Sequence, residues 1–150
     1  LFRSFESSMC AQVEALPSEL RRLYVPRLIL QPLLENVLEH GIRKDGQKSI
    51  VRMRFEREKN CLLHVVIEDN GDQLTDSMLT RLQRDLGADA PINETSGLIN
   101  IHKRLELYFG EKSGLTVMRS ELGGLRVDIV VHPPGIREDC NEIIPAVGRG

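Results

Sequence analysis

The chain has 150 residues, 41% of them hydrophobic, enough for one domain with a real core. No run of about eighteen apolar residues occurs, so no segment reads as a membrane-spanning helix. Twenty Lys and Arg against 22 Asp and Glu give a net charge of -2, and aromatics are only 4%, which excludes a polybasic or base-stacking binder of nucleic acid. Cys10, Cys61 and Cys140 are odd in number and widely spaced. They read as reduced cytosolic thiols, neither a disulfide framework nor a zinc site. No signal-peptide pattern follows Leu1, so the chain is expected to be a piece of something longer.

Residues 9–14 alternate weakly, with Met9, Ala11 and Val13 against Cys10, Gln12 and Glu14, as a strand would. A turn-like break follows at 16–20, around Pro17. A helix is expected over 26–40, with Pro26 in its first turn and Gly41 as its stop; Pro32 should kink it or reset its start. Residues 50–56 set Val51, Met53 and Phe55 against Arg52, Arg54 and Glu56, a half-buried strand with one charged face. Residues 61–68 are more apolar, which suits a central strand, and the short turn before them favours an antiparallel hairpin. A helix over 75–86 carries the stripe Leu79, Leu82, Leu86. The polar stretch 87–96, with Pro91, reads as a mobile loop. A helix over 98–109 should bury Ile101, Leu105 and Tyr108 and stop at Gly110. Residues 115–119 and 125–131 then form a hairpin around Gly123 and Gly124. The domain is expected to occupy 1–132, with 133–150 a frayed tail. This order predicts an α/β two-layer sandwich, a mixed sheet covered on one face by helices.

The segment Gln31-Pro-Leu-Leu-Glu35-Asn36-Val-Leu-Glu39-His40-Gly41 carries the most chemistry. At about 100° per residue, Glu35, Asn36, Glu39 and His40 share one polar arc, opposite Leu30, Leu33, Leu34, Val37 and Leu38. A carboxylate beside a carboxamide on the wet side of a helix can hold a hydrated divalent cation. Asp69-Asn70-Gly71, at the end of a strand, offers an acceptor and a backbone with no side chain in the way. Together these suggest a magnesium–nucleotide site. His40, at the edge of the apolar arc, reads equally as a structural or a site residue. His64, His102 and His132 lack partner spacing for metal or nucleophilic chemistry, and Arg52 and Arg54 read as a solvated strand face.

Residues 25–36, with His40-Gly41-Ile42, closely resemble the N-box of LytS/YesM-type bacterial sensor histidine kinases. Glu68-Asp69-Asn70-Gly71 resembles the family's first glycine box, 96–105 the second, and 122–127 the last. These boxes stand in the family's order. The resemblance implies the Bergerat-type ATP-binding fold shared by gyrase, MutL and histidine kinases, with ATP between the helical layer and a flexible lid. Carried over by position, Asn36 would coordinate Mg2+, Asp69 would accept from the exocyclic amine of adenine, and Gly71 would admit the ring. The turn at Gly97 and Leu98 would aim free N–H groups at the phosphates, with Asn100, Lys103 and Arg104 near that end. His40 would line the same site, and Glu35 would orient a nucleophile or a metal-bound water.

The sequence departs from the pattern at Gln73, Thr95, Leu125 and Glu39. By resemblance the function is that of the ATP-binding catalytic domain of a two-component sensor kinase. It would give the γ-phosphate of Mg-ATP to a histidine on a dimerisation helix upstream. A response regulator and a second copy of the parent are the implied partners. The domain would be cytoplasmic and its parent anchored in the bacterial inner membrane. Two alternatives stand: a degenerate nucleotide-responsive interaction module, and a gyrase/MutL-like ATP hydrolase with Glu35 as base.

Overall fold

The computed structural model describes residues 9–18, 27–57, 63–88 and 97–132. Pro26, Cys61 and Cys140, the loop over 89–96 and the tail over 133–150 lie outside the described residues, as do the side chains of Leu30 and Leu38. The elements run β1 (Met9–Val13), α1 (Arg27–His40), β2 (Ser49–Arg57), β3 (Leu63–Asp69), α2 (Asp76–Leu86), α3 (Gly97–Phe109), β4 (Gly114–Arg119) and β5 (Leu125–Val131). The strands form one sheet in the order β1-β2-β3-β5-β4. β1 runs parallel to β2, and the other three pairings are antiparallel. The expected central strand is therefore central.

Alternation decides the two faces. Val51, Met53, Leu63, Val65, Ile67, Leu115, Val117, Val127, Ile129 and Val131 point to one side and form a single core with Leu33, Val37, Leu86, Leu98, Ile101 and Leu105 from the helices. The other side carries Arg52, Arg54, Glu56, His64, Glu68, Arg126 and Asp128, set opposite one another by the strand register. There Arg54 donates to Glu68 at 3.0 Å, and Arg126 and His64 both bond Asp128, at 2.7 Å each for the closest atoms. The charged face expected of β2 is thus ion-paired rather than simply solvated.

Pro32 sits inside one helical run and does not mark its start. Thr75 caps α2, accepting from the Met78 N–H at 3.2 Å. One expected core position is corrected. Tyr108 is 64% exposed, while Phe109 is partly buried against the core. Gly110 ends the helix at φ +93, its N–H on the Glu106 carbonyl at 2.8 Å.

Candidate functional site: a buried carboxylate ringed by glycines

Asp69 ends β3 on the helix-covered face and is 4% exposed. Its Oδ1 accepts from the N–H of Gly71 at 2.8 Å and of Leu125 at 3.2 Å. Oδ2 receives no hydrogen bond from any described residue. Three glycines from three parts of the chain make room for this group. A Cβ on Gly41 would stand 3.0 Å from the Asp69 side chain, and one on Gly71 would stand 3.1 Å from the His40 carbonyl. One on Gly124 would overlap Asp69 Oδ1 outright. The end of α1, the end of β3 and the start of β5 therefore meet at one carboxylate. Burial pushes the Asp69 carboxyl up, against the opposing pull of its two N–H donors and of His40.

The turn after Asp69 is rigidly held. Asn70 Oδ1 accepts from the Ile50 N–H at 2.7 Å, and its Nδ2 donates to the Lys48 carbonyl at 3.0 Å. Arg43 donates to the Asn70 carbonyl at 3.2 Å and pairs with Asp45, while its N–H rests on buried Ser49 Oγ at 2.9 Å. Asp72 accepts from the Lys44 N–H, and Gln73 turns to Asp72. Asp72, with Gln73 turned to it, thus braces the turn against the loop after α1.

On α1, Glu35, Glu39 and His40 are exposed and Asn36 is half-buried, so the polar arc faces outward as expected. Glu35 accepts from Gln31 one turn earlier at 2.9 Å. A Cβ on Gly97 would meet Asn36 Oδ1 at 3.9 Å, which sets the carboxamide against the first residue of α3. Leu98 is a core side chain, so only its backbone can serve a ligand. Asn100 Oδ1 is buried and has no hydrogen-bond partner among the described residues. Arg104 is exposed. Lys103, with His102, Glu106, Gln83 and Gly87, lines a groove between α2, α3 and β4. His102 has a structural task there, its Nδ1 accepting from the Leu115 N–H at 2.9 Å.

The structure therefore brings Asn36 against Gly97, and the His40 carbonyl and Asp69 against Gly71. Sequence reasoning passed over Gly41 as more than a helix stop, and over the Leu125 N–H. The departure at Leu125 costs Asp69 nothing, because the main chain makes that contact. Thr95 lies outside the described residues.

The site suits a nucleotide on three counts: a half-satisfied carboxylate, a glycine-lined approach, and an orphaned carboxamide oxygen on α3. Among the described residues no group of three or more His, Cys, Asp or Glu is placed to hold a metal ion.

No protein-family model matches the sequence. In fold the chain is similar to the ATP binding domain of PrrB from Mycobacterium tuberculosis, with a TM-score of 0.54 over 87% of this chain and 85% of that one, at 15% identity. The architecture is that of a histidine kinase ATP-binding domain. In sequence, YesM of Bacillus subtilis is 29% identical over 118 residues, 75% of this chain and 18% of that protein. A sensor-like histidine kinase of Staphylococcus epidermidis is 30% identical over 102 residues, 67% of this chain and 19% of that one. The chain belongs to the LytS/YesM-type sensor histidine kinase family. It spans under a fifth of the length of these relatives.

Proposed function

We propose that this domain binds Mg-ATP and presents its γ-phosphate to a histidine on a dimerisation helix of the parent kinase. The observation that carries the reading is Asp69, whose Oδ1 is fixed by two main-chain donors while Oδ2 has no hydrogen-bond partner among the described residues. A fixed acceptor of this kind selects the exocyclic amine of adenine and repels the carbonyl that guanine has in its place. Gly41, Gly71 and Gly124 keep side chains away from the ring. Asn36 and Asn100 offer carboxamides beside the start of α3, where the free N–H groups of the first turn favour phosphate oxygens. When bound, Mg2+ neutralises phosphate charge. Glu35, exposed on the same arc, orients the incoming nucleophile. Phosphoryl transfer needs little more from the protein than position and charge neutralisation.

In the parent, a homodimer is the expected assembly and a response regulator the expected receiver of the phosphoryl group. The parent is expected in the bacterial inner membrane with this domain on the cytoplasmic side. Among the described residues no helix is long and apolar enough to cross a membrane.

Calorimetric titration of Mg-ATP into wild type and Asp69→Asn tests the site. The variant keeps an oxygen for the Gly71 and Leu125 N–H groups but turns an amide donor toward adenine. Affinity should fall about ten- to a hundredfold, the weight of one charge-assisted hydrogen bond. Unchanged affinity would remove the adenine assignment. Steady phosphate release by the isolated domain would favour a hydrolase, and no thermal shift with millimolar Mg-ATP would favour an interaction module.

A further inference from the structure

Two pieces of chain flank the Asp69 carboxylate: residues 72–76, which lead away from it into α2, and the turn over 120–124, which ends in the Leu125 N–H. Arg119, the last residue of β4, spans them. One guanidinium nitrogen, Nη1, donates to the Gly123 carbonyl at 3.2 Å. The other, Nη2, donates to the Leu74 carbonyl at 3.2 Å and to Asp76 Oδ1 at 2.6 Å. The turn is shaped internally by Ser120, whose Oγ and carbonyl accept from the N–H groups of Leu122 and Gly123 at 3.0 Å each. Gly123 stands at φ +110, where only glycine sits without strain. Those local bonds give the turn its form, the Gly124 N–H ties it to the Asp69 carbonyl at 3.1 Å, and Arg119 fixes it relative to the head of α2.

Asp76 is 93% exposed, so its ion pair with Arg119 contributes little by itself. The weight lies in the two main-chain carbonyls, one on each side of Asp69. A planar guanidinium reaches both at once, and an ammonium has no such fork.

We propose that Arg119 is a positioning residue for nucleotide selection. By fixing the turn against residues 74–76 it keeps the Leu125 N–H on Asp69 Oδ1, and so keeps Oδ2 turned outward as the acceptor. The proposal rests on the nucleotide reading given above. Without the clamp the turn rests on the Gly124 N–H bond to the Asp69 carbonyl at 3.1 Å and on the pairing of β4 with β5, the Leu125 contact with Oδ1 loosens, and discrimination between amine and carbonyl weakens.

The test uses the full chain with Arg119→Lys and Arg119→Met; the lysine variant serves if the methionine variant does not fold. Hydrogen exchange of the Leu125 amide is read by NMR, and Mg-ATP and Mg-GTP affinities by calorimetry. In both variants the Leu125 amide should exchange faster while Val66 in the central strand does not. The preference for ATP over GTP should fall about tenfold, the effect of one weakened hydrogen bond to a charged group. Lower thermal stability with the Leu125 exchange and the ATP/GTP ratio both at wild-type values overturns the proposal, because Arg119 would then only hold the fold. Faster exchange with an unchanged ratio overturns it too. A wild type that binds neither nucleotide sinks the site reading and this proposal with it; a selective wild type matched by both variants sinks only the role of Arg119.

Discussion

Asp69 is a buried carboxylate whose own ionisation works against the fold. Its carboxyl is raised above the ordinary value by burial, so the folded chain binds that proton more tightly than the unfolded chain does. The stability this group contributes is therefore present at acid pH and is lost as pH rises through the raised folded value. Asp69→Asn removes the titration while keeping an oxygen for both N–H donors. The variant should gain melting temperature relative to wild type as pH rises from 4 toward about 7, even as it loses Mg-ATP. Calorimetric melting across that range checks it, and a variant less stable than wild type at neutral pH would show that the charge is needed by the fold. Such a split between stability and binding is expected where a polar group is kept for a ligand. The residues first read as site residues were legible because the boxes occur in order. What escaped was their company. Gly41, Gly124 and the Leu125 N–H reach Asp69 only through the pairing of β3 with β5 and the fold-back after α1, neither of which leaves a local signal.

Helices and strands were far more readable than contacts. Period two gave β2, β3, β4 and β5 within a residue or two, and the Thr75 and Gly110 signals marked their helix ends. The hydrophobic stripe of α3 departs from expectation at its end, where both Tyr108 and Phe109 lie at the margin of the apolar arc and Phe109 is the one packed against the core. A pair of substitutions measures this. Leu105→Ala, at a side chain with no exposed surface, should cost about 2–5 kcal/mol in denaturant unfolding. Tyr108→Ala should stay within about 0.5 kcal/mol of wild type. Equal losses would mean that Tyr108 is buried after all. Lys103 could not have been placed from sequence, because any exposed helix position accepts a lysine and only the packing of α2 decides which groove it borders.

The molecule as a whole is a sheet with two unlike sides. One buries the apolar core beneath the helices and, at its edge, the Asp69 carboxylate. The other bears Arg54 with Glu68, and Arg126 and His64 with Asp128. Burial raises the Asp128 carboxyl, but the bonds from Arg126 and His64 outweigh it and hold the group below its ordinary value. The sign is then opposite to that of Asp69. Stability from Asp128 is present above the unfolded value of 3.8 and is lost as pH falls below it. Asp128→Asn should melt lower than wild type at neutral pH, and the gap should close as the pH drops under that value. A gap that persists at acid pH would assign the loss to packing rather than charge.

The parallel pairing of β1 has a mechanical corollary. Met9 lies beside Ser49, and Val51 lies beside Asp69, so the strand through which the polypeptide joins the sheet begins at the same rim as the glycine-lined carboxylate. Ser49 in turn supports Arg43, and Arg43 supports the Asn70 carbonyl. A pull on β1 along its axis is thus delivered within a few bonds to the rim that holds Asp69, instead of being spent across the width of the sheet.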